Sequence, residues 1–136
     1  MQNTADDQVT QVDRKGYHRL VVWREAHKLV LAVYKATEGF PRTEVFGLTS
    51  QMRRSAASVA TNIVEGQARG TDAEFARFLS IANGSLAELE YQLELSRDLQ
   101  FLSTETYAAL EENRAHTGYL LHKFLTELSR KRNTAT

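Results

Sequence analysis

No cysteine occurs in the 136 residues, so disulfide frameworks, thiolate zinc sites, iron–sulfur clusters and cysteine nucleophiles are excluded together. The cytosol is the natural compartment for such a chain. Proline is almost absent as well: Pro41 stands alone, and helix formers dominate between a few glycine, serine and threonine punctuation marks. No long hydrophobic run is present. The longest, Leu29 to Tyr34, falls far short of the ~20 residues that span a bilayer, which restricts any membrane role to a peripheral one. The first sixteen residues, Met1 to Gly16, are polar and carry Asp6, Asp7 and Asp13. They lack the basic start and apolar centre of an export signal and read as a disordered tail.

Net charge is also missing, since 17 basic side chains balance 17 acidic ones. The balance hides segregation. Residues 14–69 hold ten basic and four acidic side chains, residues 70–112 two basic and nine acidic, and residues 113–136 five basic and one acidic. A folded molecule can therefore present basic and acidic faces that the whole-chain charge conceals. The length fits one soluble domain, able to bury roughly 68% of the surface its unfolded chain exposes.

What is present is helical periodicity. Leu20, Trp23, Ala26, Leu29, Val30, Val33 and Tyr34 recur at spacings of three and four, predicting a first helix over about 20–38 that Gly39-Phe40-Pro41 ends. A second helix is expected from Leu48 or Thr49 to Gln67, with Met52, Ala56, Val59 and Ile63 on its apolar row. Thr71-Asp72-Ala73-Glu74 reads as a capping box, in which hydroxyl and carboxylate each satisfy a backbone amide at a helix start. It opens a third helix over about 72–101, with Phe75, Phe78, Leu79, Ala82, Leu86, Leu89, Leu93 and Leu99 on one stripe. Ser103-Thr104-Glu105 caps a fourth, whose Tyr107, Leu110, Leu121, Phe124, Leu125 and Leu128 carry it to about Arg130. Residues 131–136 read as a basic tail. Four such amphipathic helices with short connections predict an all-α domain over 17–130, an antiparallel up-down four-helix bundle.

In and just before the second helix, and in the third, stand Phe46-Gly47-Leu48-Thr49-Ser50-Gln51-Met52-Arg53-Arg54, Ser58, Asn62-Ile63-Val64-Glu65-Gly66, Ala82-Asn83-Gly84-Ser85 and Glu88-Leu89. Together with Val22-Trp23, Ala26 and Phe40-Pro41, this pattern resembles the 23S ribosomal RNA intervening-sequence protein family over about 20–128. The resemblance implies a bacterial, cytosolic four-helix bundle that assembles as a homopentamer and whose biochemical role is poorly defined. More distantly, the chain is similar to the accessory variability determinant of diversity-generating retroelements. That likeness implies, by analogy only, binding to nucleic acid and to a reverse transcriptase.

On the second helix Gln51, Ser55, Ser58, Asn62, Glu65 and Arg69 follow at spacings of 4, 3, 4, 3 and 4, so they form one polar row beside the apolar one. A merely solvated face would favour lysine, arginine and glutamate over serine and asparagine, which weaken helix interiors. One reading is an oligomer seam, where matched polar groups fix register as a buried asparagine does in coiled coils. A solvated face with small residues for close packing, or a small-molecule groove, would leave the same pattern. Ser85, Glu88 and Gln92 repeat the spacing on the third helix, beside Gly84. Glu88 is expected to accept from Arg53, Arg54 or Gln51, within one chain or between neighbours.

Arg53, Arg54, Arg69, Arg24 and Lys28, with Arg19, supply the positive excess of the first half and are candidate contacts to nucleic-acid phosphates, which demand only positive charge. Repetition around a ring would make a weak patch multivalent. For any single one of these residues a solvated charge with a local pair is the favoured reading. Trp23, Phe75, Phe78 and Phe124 lie on apolar rows, as core residues rather than stacking platforms. No helix-turn-helix, RNA-recognition or zinc-finger pattern is visible.

Enzyme templates find no match. No glutamate lies three residues before a histidine, as a di-iron bundle requires. His116 and His122, six apart, lie on different helix faces, and His18 and His27 each lie alone. No phosphate-binding glycine loop or nucleophile elbow occurs. The sequence thus predicts a non-enzymatic, self-assembling bundle without metal or cofactor. Its expected partners are itself and RNA or DNA backbone, with a protein such as a polymerase; the alternative is an interaction scaffold that binds no nucleic acid.

Overall fold

The period-four apolar rows become four helices in the computed structural model, which describes residues 16–135, with side chains through Lys131. Helix α1 spans Val21–Thr37, α2 Leu48–Ala68, α3 Asp72–Asp98 and α4 Thr104–Ala135, and no strand occurs among the described residues. Short 3₁₀ turns at Tyr17–Arg19 and Arg42–Glu44 precede α1 and α2. The expected disordered tail lies outside the described residues except for Gly16. Each helix packs on its neighbour in chain order and α4 closes back on α1, while the backbones of the diagonal pairs stay farther apart. The result is a square, up-down four-helix bundle.

The buried rows are Val22, Ala26, Leu29 and Val33 on α1, Met52, Ala56, Val59 and Ile63 on α2, Leu79, Ala82, Leu86, Leu89 and Leu93 on α3, and Leu110, Leu121 and Leu128 on α4. Burying each of the larger side chains contributes roughly 1.5–3 kcal/mol. On α1 the stripe is rotated from its expected centre. Val22 is buried, whereas Leu20, Trp23 and Val30 pack only at the edge of the core and Tyr34 is exposed. Leu99 is exposed too, because α3 ends before it.

Helix ends follow backbone chemistry. The Thr71 hydroxyl accepts from the Glu74 amide at 3.3 Å. Only half of the capping box forms, since the Glu74 carboxylate turns to the Arg77 guanidinium, 2.9 Å from Nε. The Ser103 hydroxyl accepts from the Thr106 amide at 3.1 Å, as its position predicts. At the start of α2 the Glu44 carboxylate accepts from the Leu48 amide at 3.2 Å. α4 runs past the expected end at Arg130 through Ala135. Arginine and lysine are good helix formers, and their charge suits a helix C-terminus. Lys131 moreover pairs with Asp72 of α3 at 3.4 Å.

Candidate functional site

Antiparallel packing of α2 on α3 brings the two polar rows together. Small side chains permit the approach. At Gly66, a Cβ would lie 2.8 Å from Phe78 Cβ and 2.9 Å from Phe75 Cδ1, so the start of α3 rests directly on the end of α2. Two turns away the Ser58 and Ser85 hydroxyls meet at 2.8 Å. The Asn62 amide donates back along α2 to the Ser58 carbonyl at 2.8 Å and its hydroxyl at 3.1 Å. Ser55 is buried at 4% exposure.

Above this floor lies a groove of about 500 Å³ lined by Gln51, Arg54, Ser55, Ser58, Ser85 and Glu88. Arg54 and Glu88 are exposed, and neither enters an ion pair among the described residues. Gln92 continues the α3 row at 5% exposure, and its Oε1 has no hydrogen-bond partner among the described residues. Glu65 closes the α2 row in an exposed ion pair with Arg69 at 3.2 Å. Two apolar side chains stand on the outer side of α3 at the spacing of this row, Ile81 at 43% and Tyr91 at 62% exposure. Gly84 lies between them, with nothing within 4 Å of its would-be Cβ.

A profile of the 23S rRNA-intervening sequence protein family matches residues 18–123. The chain belongs to this family. It is also similar to the crystal structure of a protein of unknown function from the S23 ribosomal protein family of Bacteroides thetaiotaomicron. The TM-score is 0.72, with 23% identity over 78% of this chain and 96% of that one. No curated protein matches the sequence. Every residue of the α2–α3 groove falls inside the segment shared with the intervening-sequence family.

The candidate phosphate contacts of this family member do not converge. Adjacent Arg53 and Arg54 leave α2 on different sides. Arg53 turns to α1, where Nε donates to Thr37 Oγ1 at 2.9 Å, Nη2 donates to the Tyr34 carbonyl at 3.3 Å, and the guanidinium lies 4.7 Å above the Tyr34 ring. It does not reach Glu88, which corrects the expectation of that pair within the chain. Nor does Arg54 or Gln51 bond Glu88 among the described residues. Arg69 sits at the far end of α2 over the Phe78 ring at 4.9 Å. Arg24 donates to the His18 carbonyl at 3.1 Å, and Lys28 pairs with Glu25 at 3.4 Å. Arg19 is exposed in the turn before α1.

The histidines are less isolated than their spacing implies. His27 stacks on Trp23, with centroids 4.9 Å apart and planes 8° from parallel, and His18 stacks on Tyr17 at 4.1 Å. His116 Nδ1 lies 3.3 Å from Glu25 Oε1, to which Asn113 Nδ2 also donates at 3.1 Å. These contacts stand in a second groove, of about 510 Å³, between α1 and α4. Beside it toward the α3–α4 connection lies a larger one of about 620 Å³, lined by Ala32, Lys35, Ala36, Phe101, Glu105 and Leu110 among others.

Arg114, on the α3–α4 side, bonds Glu111 and reaches Glu90 of α3 at 3.3 Å. The Glu111 hydrogen bond chiefly holds its pKa above the ordinary arginine value, and burial opposes it. No cluster of three histidine, aspartate or glutamate side chains suited to a metal occurs among the described residues. Among the described residues no helix is long and apolar enough to cross a membrane.

Proposed function

We propose that the chain is a non-enzymatic scaffold of the cytosol that assembles with copies of itself through the α2–α3 face. The observation that carries this reading is the groove floored by Ser55, Ser58 and Ser85. It holds two charges of opposite sign, Arg54 and Glu88, without an ion-pair partner among the described residues, flanked by the exposed Ile81 and Tyr91. Apolar side chains beside directional polar groups are what a specific protein contact uses. A closed ring, five-membered as the family resemblance implies, is the assembly this reading favours. A protein partner such as a reverse transcriptase would dock on the assembled form.

Native mass spectrometry of the full chain tests the reading. A multiple of the chain mass that Glu88→Gln and Arg54→Ala each alter supports it. A monomer at all concentrations refutes it.

Contact with RNA or DNA backbone is a second reading, favoured by one stretch of α1. Arg24, His27 and Lys28 are exposed on one outer side, with His27 stacked on Trp23. Repetition of this patch around an assembly would add avidity. Binding of single-stranded RNA that weakens with salt, and weakens further in Arg24→Ala with Lys28→Ala, supports this reading. Affinity equal to that of the double variant at every salt concentration rejects it.

A further inference from the structure

Phe46 is 95% exposed. It lies between the 3₁₀ turn at Arg42–Glu44 and the start of α2, with Val45 also exposed beside it. Its ring therefore contributes nothing to the core of its own chain. Adjacent exposed apolar side chains, unlike ones scattered singly, form a patch of the kind that marks a contact surface.

The groove of about 620 Å³ between α1 and α4 lies at the same end of the bundle, where α1 ends and α4 begins. Alanines and Phe101, Leu102 and Leu110 give it an apolar lining, and Lys35 and Glu105 supply charge. In a square bundle with neighbours in chain order, the α1–α4 face and the α2–α3 face are opposite sides. Phe46 leads into α2 and is not among the residues that line its own chain's groove.

We infer that Phe46 of one copy seats in the α1–α4 groove of the next, so that the α2–α3 face meets the α1–α4 face head to tail. The inference rests on the self-assembly reading above and specifies the surface that the α2–α3 face meets. Three features make a second copy the occupant. Knob and groove lie at the same level of the bundle, so parallel neighbours bring them together without sliding. Both faces carry charges of both signs, Arg54 and Glu88 on one and Lys35 and Glu105 on the other, none in an ion pair among the described residues. The knob also leads directly into the helix that carries the seam row. A contact between two different patches is heterologous, and it generates a ring when its rotation closes. A two-fold dimer would instead pair one face with itself.

Complementary variants test this without disturbing the fold, because both positions are exposed. Phe46→Asp removes the knob and keeps the groove. Ala109→Arg blocks the groove, which Ala109 lines, and keeps the knob. By light scattering and native mass spectrometry each variant alone is expected to fall to single-chain mass. An equal mixture is expected to give a heterodimer of twice that mass, since one intact knob and one intact groove remain. Wild type as a monomer would remove the self-assembly reading itself. Wild type assembled with Phe46→Asp unchanged, or two monomeric variants that do not pair on mixing, would overturn the knob-in-groove contact alone.

Discussion

The hydroxyls of Ser58 and Ser85 meet at 2.8 Å across the α2–α3 seam, and Asn62 donates to the Ser58 hydroxyl from one turn further along. Part of the polar row that marks α2 in the sequence is thus satisfied inside the chain. What it leaves for a partner is the outer rank, Gln51, Arg54 and Glu88.

Removing either hydroxyl leaves its partner short of a bond. Ser58→Ala and Ser85→Ala are each expected to cost about 0.5–1.5 kcal/mol in urea denaturation. The double variant should cost less than the sum, because both single changes delete the same bond. Strict additivity would mean that the two hydroxyls do not interact in solution.

The glycines of the two helices divide by surroundings. Gly66→Ala places a methyl 2.8 Å from Phe78 Cβ and is expected to destabilise by about 1–3 kcal/mol as α3 is forced outward. Gly84 sits in mid-helix with open space around it. Gly84→Ala should raise stability by about 0.5–1 kcal/mol through the lost entropy of the unfolded chain. Thermal melting of both variants checks the contrast.

Arg53 and Arg54 should separate stability from assembly. Arg53→Ala loses the bonds to Thr37 and the Tyr34 carbonyl and the stacking on the Tyr34 ring, at a cost of about 1–2 kcal/mol. Arg54→Ala should leave the stability of the isolated chain within about 0.5 kcal/mol. Its effect should be on assembled mass. Equal losses of stability in both variants would contradict their different settings.

The Arg77 hydrogen bond holds the Glu74 carboxyl below its usual range, opposed by desolvation and aided by the charges of Arg77 and Arg69. A carboxylate whose folded pKa is depressed stabilises the fold above its unfolded pKa, and that contribution disappears as pH falls through the folded one. The stability difference between wild type and Glu74→Gln is therefore expected at neutral pH and should vanish in the acid range below the ordinary glutamate value. A difference that persists unchanged into strong acid would show that the ion pair is not its source.

The bundle was legible because helical burial is a local periodic signal. Met52, Ala56, Val59 and Ile63 stand three or four apart, and any such row must find cover. The row from Gln51 to Glu65 was legible as a face for the same reason, but not what stands opposite it. Spacing places Arg53 next to Arg54 and is silent on which neighbour each guanidinium meets; Thr37 and the Tyr34 carbonyl decide for Arg53. The Glu25 contacts with Asn113 and His116 join residues far apart in sequence, and no local pattern announces them. Glu44 as the cap of α2 was missed because the capping group lies in a preceding turn rather than at the first residue before the helix. Phe46 read as part of a family pattern, and only the fold reveals that its ring faces water.

The end of α3 carries a constraint on length. Gln100 adopts φ 65°, its amide donates to the Arg97 carbonyl and that of Phe101 to the Ser96 carbonyl, both at 2.9 Å, the wrapped ending that usually employs glycine. The next two residues, Phe101 and Leu102, then line the α1–α4 groove. One chain reversal both terminates a helix and shapes a surface. Most connections between helices drift freely in length among related proteins; here one inserted residue would swing the phenyl ring out of the groove, so this turn is where insertions should be least tolerated.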